Sequence, residues 1–318
     1  MKLLASLLVF AFSIPQAFAQ TWPSKPITFV VGSPPGGGTD FVARILSDHL
    51  SKALKQPIVI LNKPGASGNI GTESVMRAPA DGYTWLIQYS GYHVGNPALF
   101  PDLRWSPTKD FTGAAMLMRG PHVIAVNAGL PVRTLKELID YGRKGKGLFY
   151  ASAGQGAIQH IAGEMFGQAT QVPVTHVPYK GAGPAVIDLI SGQVDMFITT
   201  PPSVLGHAKA GKLKLLAVTA NKRHPALPSI PTSAEAGLPG YEVESWFAMF
   251  VSSATPKEIV ASMSAQVRKV VESESYRKQI EEHGAYATYM DPATLNGFVQ
   301  KELSAWAKII HGANIKAE

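Results

Sequence analysis

One local pattern recurs along the chain and restricts its fold more than any other feature. A short apolar strand leads into a glycine-rich loop and then into an amphipathic helix. The first copy runs from Ile27–Val31 through Ser33-Pro34-Pro35-Gly36-Gly37-Gly38 into an apolar period between Phe41 and Leu54. Thr39 or Asp40 stands where a helix N-cap is expected. Strands that alternate with helices in this way predict an α/β architecture with mainly parallel sheets.

Two further glycine-rich loops, Gly65–Gly68 and Ser152–Gly156, also follow predicted strands and precede predicted helices. Short β-branched and aromatic runs predict further strands at 58–61, 83–89, 123–126, 174–177, 194–198 and 213–219. The last part of the chain differs, because its apolar periods predict helices at 256–271, 275–283 and 292–310. At roughly 100–200 residues per domain, the 318 residues predict two domains, which short crossovers join.

The N-terminal segment has the layout of a secretory signal peptide. Lys2 precedes an apolar run from Leu3 to Ile14, Pro15 ends the run, and Ala17-Phe18-Ala19 offers small residues for a cut after Ala19. The run spans about a dozen residues, fewer than the ~20 that a membrane-spanning helix needs. We therefore expect residues 1–19 to be removed and the chain to work outside the cytoplasm.

Composition removes several functional classes. The chain has no cysteine, which excludes thiol catalysis, disulfides and thiolate metal sites. Its formal net charge is +7, but the basic residues are scattered, and their densest cluster is Arg143-Lys144-Gly145-Lys146. Surface lysines explain this charge better than a nucleic-acid interface, so we expect no nucleic-acid partner.

The three glycine-rich loops predict an anion-binding site. Glycine lets backbone N–H groups approach a ligand closely, and a helix N-terminus adds unpaired N–H donors and a partial positive charge. In open α/β sheets such loops lie at the carboxyl ends of strands, where ligands bind. The alternative is that the loops are only tight turns. Nucleotide fingerprints are incomplete, because Gly36-Gly37-Gly38 is followed by Phe41 where a last glycine should stand.

The sequence lacks a recognisable catalytic motif. The nucleophile elbow G-x-S-x-G occurs around neither Ser67 nor Ser152. His160 and Glu164 are four residues apart on a predicted helix, but without further ligands a hydrogen bond on the helix surface explains them better than a metal site. We therefore expect a binding protein without catalytic residues, metal or cofactor rather than an enzyme.

Longer motifs surround these loops and run in order through almost the whole chain. They are Pro23-Ser24-Lys25-Pro26-Ile27, Pro34–Asp40, Asn62–Gly71, Asp81-Gly82-Tyr83-Thr84, Asn96–Phe100, Lys109-Asp110-Phe111, His176–Gly181, Gly192–Asp195, Leu227–Thr232 and Glu235–Gly240, extending to Trp246. In this order they closely resemble the substrate-binding proteins of tripartite tricarboxylate transporters.

The resemblance implies a periplasmic protein with a hinged fold like periplasmic-binding-protein type II, in which two α/β lobes with mixed, mainly parallel sheets surround a cleft. After the signal peptide at 1–19, one lobe would comprise 20–122 plus 247–318 and the other 123–246. Such proteins capture a small organic carboxylate and deliver it to membrane permease subunits, and we expect a monomer. Two alternatives are a periplasmic sensor that presents the same ligand to a membrane receptor and a secreted hydrolase.

The resemblance also implies where backbone amides and ordered water hold the carboxylate. The positions in the first lobe are Pro35, Gly37, Gly38, Thr39, Asp40, Ser90 and Gly91. The positions in the second lobe are Ser152, Gly154 and Thr199. Relatives that bind amino acids can carry an acidic residue at the position of Thr199, so the threonine argues against an amino acid ligand.

Aromatic side chains favour a planar ligand, which they would stack against if they face the cleft rather than a core. The candidates for this wall are Tyr89, Tyr92, Phe197 and Trp246. The candidates for a second carboxylate are His93, Arg104 and Lys180. Among these, His93 is favoured by its position beside Ser90. Terephthalate is therefore one hypothesis for the ligand, and aliphatic di- and tricarboxylates stay open.

Overall fold

The computed structural model describes residues 22–312, which form two sheets with helices packed on them. The strands are β1 (Ile27–Val31), β2 (Ile58–Asn62), β3 (Thr84–Tyr89), β4 (Phe111–Pro121), β5 (Val123–Asn127), β6 (Leu148–Ser152), β7 (Val174–Pro178), β8 (Met196–Thr199), β9 (Leu213–Val218), β10 (Glu244–Ser252) and β11 (Tyr286–Ala287). The helices are α1 (Gly38–Leu54), α2 (Asn69–Met76), α3 (Asn96–Leu99), α4 (Leu135–Lys144), α5 (Ile158–Thr170), α6 (Ala182–Ser191), α7 (Pro201–Lys209), α8 (Lys257–Val271), α9 (Glu274–Glu281) and α10 (Pro292–Gly312), with a π-helical turn at Gly91–Gly95.

The first lobe is built on a mixed sheet of six strands in the order β11-β4-β10-β3-β1-β2. Strand β1 pairs in parallel with β2 and β3, whereas β10 runs antiparallel between β3 and β4. The apolar sequence of β1 fits a strand that is covered on both faces, because Ile27, Phe29 and Val31 on one face are fully buried and Val30 on the other is 2% exposed.

The second lobe is built on a mixed sheet of five strands in the order β7-β6-β8-β5-β9. Strand β6 pairs in parallel with β7 and β8, whereas β5 pairs antiparallel with β8 and β9. The two sheets therefore confirm the expected α/β fold with a mixed sheet in each lobe. The proportion of antiparallel pairs is higher than the sequence pattern indicated.

Two crossovers join the lobes side by side. His122 alone separates β4 in the first sheet from β5 in the second. Its backbone N–H donates to the carbonyl of Val243 at 3.0 Å, and its carbonyl accepts from the N–H of Thr219 at 2.9 Å. Val243 immediately precedes β10, which returns the chain to the first sheet. The lobe boundary expected after Trp246 therefore falls inside β10, which begins at Glu244.

The strands predicted from short apolar runs all occur, with ends shifted by one or two residues, and the three C-terminal helices occur as well. The sequence analysis missed β4 and β10, which are neighbours in the first sheet, and the short edge strand β11. In β4, Gly113, Ala114 and Ala115 weaken the strand signal, because glycine and alanine are poor strand formers.

The predicted signal peptide, residues 1–19, lies outside the described residues. Within residues 22–312, no helix is both long enough and apolar enough to cross a membrane.

Candidate functional site

A small cavity lies between the two lobes and is lined by both of them. The lining residues from the first lobe are Ser33, Gly37, Gly38, Thr39, Tyr89, Tyr92, Ser245 and Phe247. Those from the second lobe are Ala153, Gln159, Ala182, Thr200 and Ser203. The cavity has a volume of about 20 Å³, which is close to the space that one water molecule needs. The lobes are therefore closed on each other in this structure.

Four helices begin at the wall of this cavity. Their N-cap residues are Gly37 for α1, Ala157 for α5, Gly181 for α6 and Thr200 for α7. None of these four helices has a hydrogen bond from a capping side chain. The first turns of the four helices therefore bring N–H donors and partial positive charge to one place.

None of the described residues that line the cavity is charged. Three of them have a buried polar atom without a hydrogen-bond partner among the described residues, namely the Ser33 hydroxyl, the Tyr89 hydroxyl and Gln159 Oε1. Each buried polar atom that stays without a hydrogen-bond partner lowers the stability of the fold by about 1–3 kcal/mol. An anion held by helix N-termini and neutral donors would satisfy the hydroxyl groups without any arginine or lysine.

Tyr89 is the most informative of the three. Its hydroxyl approaches the backbone N–H of Ile158, at the start of α5, without making a hydrogen bond. Burial raises the pKa of Tyr89 well above its usual value, so the hydroxyl keeps its proton and can donate. The Tyr89 hydroxyl of the first lobe, which is a donor, therefore lies next to the N-terminus of α5 in the second lobe.

The lobes touch through backbone and glycine contacts around the cavity. The Tyr92 hydroxyl donates to the carbonyl of Ala153 at 2.9 Å, and the Ser67 hydroxyl donates to the carbonyl of Gln155 at 3.1 Å. A Cβ atom on Gly38 would lie 2.8 Å from Thr200 Oγ1 in the opposite lobe. Closure therefore depends on a missing side chain at this position.

The loop between β6 and α5 contributes Ala153 to the cavity wall. Ser152 and Gly154, which were expected to bind the ligand, lie in the same loop but not in the wall. Ser152 is fully buried, and its hydroxyl donates to the carbonyl of Gly154 at 2.9 Å and accepts from the Gly154 N–H at 3.1 Å. Gly154 adopts a φ of 132°, which a residue with a side chain rarely adopts. Ser152 and Gly154 thus hold the loop in shape and do not themselves line the cavity.

Of the positions expected in the first loop, Gly37, Gly38 and Thr39 line the cavity. Pro35 lies outside it, in a surface groove with Gly183 and Pro184.

Asp40 was also expected near the ligand, through its backbone amide, and its side chain supports the first loop. Its carboxylate accepts from Arg44 at 2.9 Å, from Asn62 at 3.0 Å and from the N–H of Gly36 at 3.1 Å. Burial raises the pKa of this carboxyl, but the hydrogen bonds from Arg44, Asn62 and Gly36 outweigh burial and lower it. The Asp40 side chain therefore holds the first loop in shape.

His93 does not line the cavity, contrary to the expectation that it holds a second carboxylate. It is fully buried in the π-helical turn and stacks on Phe250, with the ring centroids 3.7 Å apart. Neither ring nitrogen has a partner among the described residues, and burial lowers the pKa of His93 to about 3. Its neighbours Ser90 and Gly91 are buried as well, and the Ser90 hydroxyl accepts from the N–H of Trp246 at 3.4 Å.

Trp246 faces away from the cavity, whereas Ser245 and Phe247 on either side of it line the wall. Successive side chains of a strand point to opposite faces, so the indole turns toward α10 and donates to Glu302 at 3.1 Å. Among the other candidates, Tyr89 and Tyr92 line the cavity, but Phe197 packs in the core of the second lobe.

The remaining candidates lie off the wall. Arg104 and Lys180 are exposed on the surface. Thr199 is fully buried with its hydroxyl unpartnered among the described residues, and the next residue, Thr200, takes the place in the wall.

Sequence reasoning named no role for Ser33, Gln159, Ala182, Thr200, Ser203, Ser245 or Phe247, all of which line the cavity. Some signals were present: Thr200 precedes Pro201-Pro202, which is a usual start of a helix. Gln159, Ala182 and Ser203 lie in the first turns of their helices. Their place in the cavity wall could be predicted only if the convergence of these helices were already known.

His160 and Glu164 each make a hydrogen bond with another group, and His160 is buried, not on the helix surface as the sequence analysis expected. His160 Nδ1 accepts from the N–H of Gly156 at 3.0 Å, and Glu164 accepts from the hydroxyl of Tyr150 at 2.6 Å. In the part of the chain that the structure describes, no group of three or more His, Cys, Asp or Glu side chains could hold a metal ion.

Ser152 Oγ does lie 2.6 Å from His176 Nε2, a pair that the search for a nucleophile and a base had not found. The serine is fully buried and already bonded within its own loop, so it lacks the access that a nucleophile needs.

Known proteins resemble this chain in sequence. The model of the tripartite tricarboxylate transporter family receptor matches residues 42–315. BugT of Bordetella pertussis is 33% identical over 303 residues, which cover 94% of this chain and 93% of that protein.

Two solved structures resemble the whole fold. An R. palustris protein solved with adipate superposes with a TM-score of 0.89 and 37% identity, over 93% of this chain and 99% of that one. MatC from Rhodopseudomonas palustris, solved with bound malate, superposes with a TM-score of 0.84 and 33% identity, over 91% of this chain and 100% of that one.

Proposed function

The chain belongs to the tripartite tricarboxylate transporter receptor family, whose members are periplasmic solute-binding receptors, and we propose that it captures a small carboxylate between its lobes. We further propose that it works in the periplasm and delivers this ligand to the membrane permease subunits of a tripartite tricarboxylate transporter.

The observation that carries the proposal is the convergence of four uncapped helix N-termini on a cavity without charged side chains. Backbone donors are fixed before the ligand arrives, so binding an anion orders few side chains. The unpartnered hydroxyls of Ser33 and Tyr89 supply further donors.

A dicarboxylate fits this arrangement better than a monocarboxylate. Helix α1 belongs to the first lobe, and α5, α6 and α7 belong to the second, so two anionic ends can each find N-terminal donors. The two similar structures described above were solved with adipate and with malate, which are both dicarboxylates. Since Tyr89, Tyr92 and Phe247 supply three aromatic rings to the wall, an aromatic dicarboxylate such as terephthalate is a second candidate.

Capture requires the lobes to open. A dicarboxylate is much larger than the cavity of about 20 Å³, so the lobes separate to admit it and then close around it less completely than in this structure. Because the ligand contacts both lobes only in the closed form, binding shifts the equilibrium toward closure.

A thermal-shift screen of the chain from Gln20 to Glu318 tests this function. The panel contains succinate, malate, adipate, citrate, terephthalate and benzoate, with glutamine and arginine as the amino acid control. A ligand present at about 100 times its Kd stabilises a protein by roughly 2.7 kcal/mol, which raises the Tm by several degrees. We expect such a shift with dicarboxylates and none with the amino acids. A shift with amino acids alone would contradict the proposal.

A further inference from the structure

Two histidine rings lie stacked behind the loop that the second lobe presents to the cavity. His160 in α5 and His176 in β7 are parallel to within 3°, with the ring centroids 3.8 Å apart. We call this pair the histidine stack. His160 is buried and His176 is partly buried, so both rings are largely removed from water.

The histidine stack holds both ends of the Ser152–Gly156 loop. At one end, His160 Nδ1 accepts from the backbone N–H of Gly156 at 3.0 Å. At the other end, His176 Nε2 lies 2.6 Å from the hydroxyl of Ser152. The Ser152 hydroxyl donates to the Gly154 carbonyl, so His176 Nε2 carries a proton and donates to Ser152.

The same loop meets the ligand cavity and the opposite lobe. Ala153 lines the cavity, and its carbonyl accepts from Tyr92 of the first lobe. The carbonyl of Gln155 accepts from Ser67, which also belongs to the first lobe. A change in the shape of this loop therefore alters the cavity wall and two contacts that close the lobes.

We propose that His160 and His176 are positioning residues for ligand capture, which requires both rings to be neutral. This proposal rests on the proposed function, because it concerns the same site. The critical contact is the one at His160. A proton on Nδ1 turns this atom from an acceptor into a donor that faces the N–H of Gly156, and the hydrogen bond is lost.

The surroundings oppose a charge on the stack. Burial, and then the neighbouring His160, lower the pKa of His176 to about 3. The titratable group that packs on the stack is Tyr150 of β6, whose ring centroid lies 5.1 Å from that of His176 and 6.5 Å from that of His160. Glu164 of α5 and Tyr241 both interact with Tyr150. Glu164 is the negative charge among them, and it accepts from the Tyr150 hydroxyl.

In the open form, the loop loses its contacts with Tyr92 and Ser67 and the site is wetter, so we expect the stack to be protonated more easily than in the closed form. Acid then favours the open form, and the affinity for the ligand falls as the pH falls. For one linked proton, the Kd rises by up to about tenfold per pH unit.

Nuclear magnetic resonance of the ligand-free chain tests the contact itself. We expect the amide resonance of Gly156 to move together with the titration of the His160 ring. In His160→Asn, the side-chain oxygen can replace Nδ1 as the acceptor, so the Gly156 resonance should stay fixed across the same pH range. If the chemical shift of the Gly156 amide does not change while His160 titrates, the proposal is overturned.

Calorimetry with adipate between pH 8.0 and 5.5 tests the consequence for binding. We expect the Kd of the unmodified chain to rise toward low pH. In the double variant His160→Asn/His176→Gln, the slope of log Kd against pH should be smaller. His311→Asn, which changes an exposed histidine in α10, should keep the original slope. Protonation of adipate affects all variants equally, so the difference in slope is the readout.

The outcomes separate the two proposals. Equal slopes for the double variant and the unmodified chain overturn the role of the histidine stack while leaving carboxylate capture intact. If adipate does not bind at any pH, that result counts against the proposed ligand class, and the Gly156 resonance still decides the role of the stack.

Discussion

The Tyr89 hydroxyl is a protonated donor that stands at the cavity without a partner among the described residues. If it donates to the ligand carboxylate, Tyr89→Phe removes one hydrogen bond to a charged group. We expect a loss of about 1.5–3 kcal/mol in binding, or a Kd that is roughly ten to a hundred times weaker. Calorimetry with the best dicarboxylate of the thermal-shift panel measures this change.

The stability of the ligand-free chain distinguishes this role from a structural one. Because Tyr89→Phe removes an unpaired buried hydroxyl, the ligand-free Tm should stay the same or rise. Tyr276→Phe is the matched control, since its hydroxyl donates to the carbonyl of Leu117 within the first lobe. It should lose about 1 kcal/mol of stability and keep its affinity. Unchanged ligand affinity in Tyr89→Phe would remove Tyr89 from the site.

At the scale of the elements, closure depends on how closely α6 approaches the first glycine-rich loop. A Cβ atom on Gly183 would overlap the carbonyl oxygen of Pro35 in the opposite lobe. Gly183→Ala should therefore hinder closure while both lobes fold normally. Overpacking costs about 1–3 kcal/mol, so we expect the Kd to weaken roughly 5- to 150-fold and the ligand-free Tm to change little.

Gly206→Ala is the control for this substitution. Gly206 lies in α7, is exposed, and would have no atom within 4 Å of an added Cβ. Alanine should stabilise this helix by up to about 1 kcal/mol without weakening ligand binding. If both variants bind the dicarboxylate equally well, the approach of α6 to Pro35 does not limit closure.

The strands and glycine-rich loops were predictable because apolar runs and glycines mark them locally. The direction in which each side chain points was not predictable, because it depends on which face of an element meets the other lobe. The aromatic ring of Trp246 makes it a candidate for the wall, but the strand period places Ser245 and Phe247 on the cavity face instead. His93 was chosen for its distance from Ser90 along the chain, and the π-helical turn packs it against Phe250.

Across the whole molecule, buried histidines link the fold to pH. His93 is buried in the first lobe, and His122 lies between the lobes, where its ring meets the carbonyl of Ile198 and the hydroxyl of Ser245. Burial lowers the pKa of His93 to about 3 and that of His122 to about 4. Both are therefore neutral in the fold at pH 5, whereas unfolded histidines titrate near 6.5.

The sign of the pH dependence follows from these pKa values. As the pH falls below about 6.5, the unfolded chain binds protons that the folded chain does not, so the free energy of unfolding falls. Each histidine contributes up to about 1.4 kcal/mol per pH unit. Urea denaturation at pH 7.5 and 5.0 measures the difference, and His93→Met should reduce it. Equal stability at both pH values would contradict the buried, neutral state of these rings.

The central claim is that backbone donors at four helix N-termini bind an anion between the lobes. Calorimetry with a matched pair of ligands tests it most directly, namely adipate and its uncharged diamide, which have the same carbon chain. We predict that adipate binds and that the diamide binds at least about a hundred times more weakly, because helix N-termini favour negative charge. Equal affinity for the two ligands, or binding of the diamide alone, would contradict the claim.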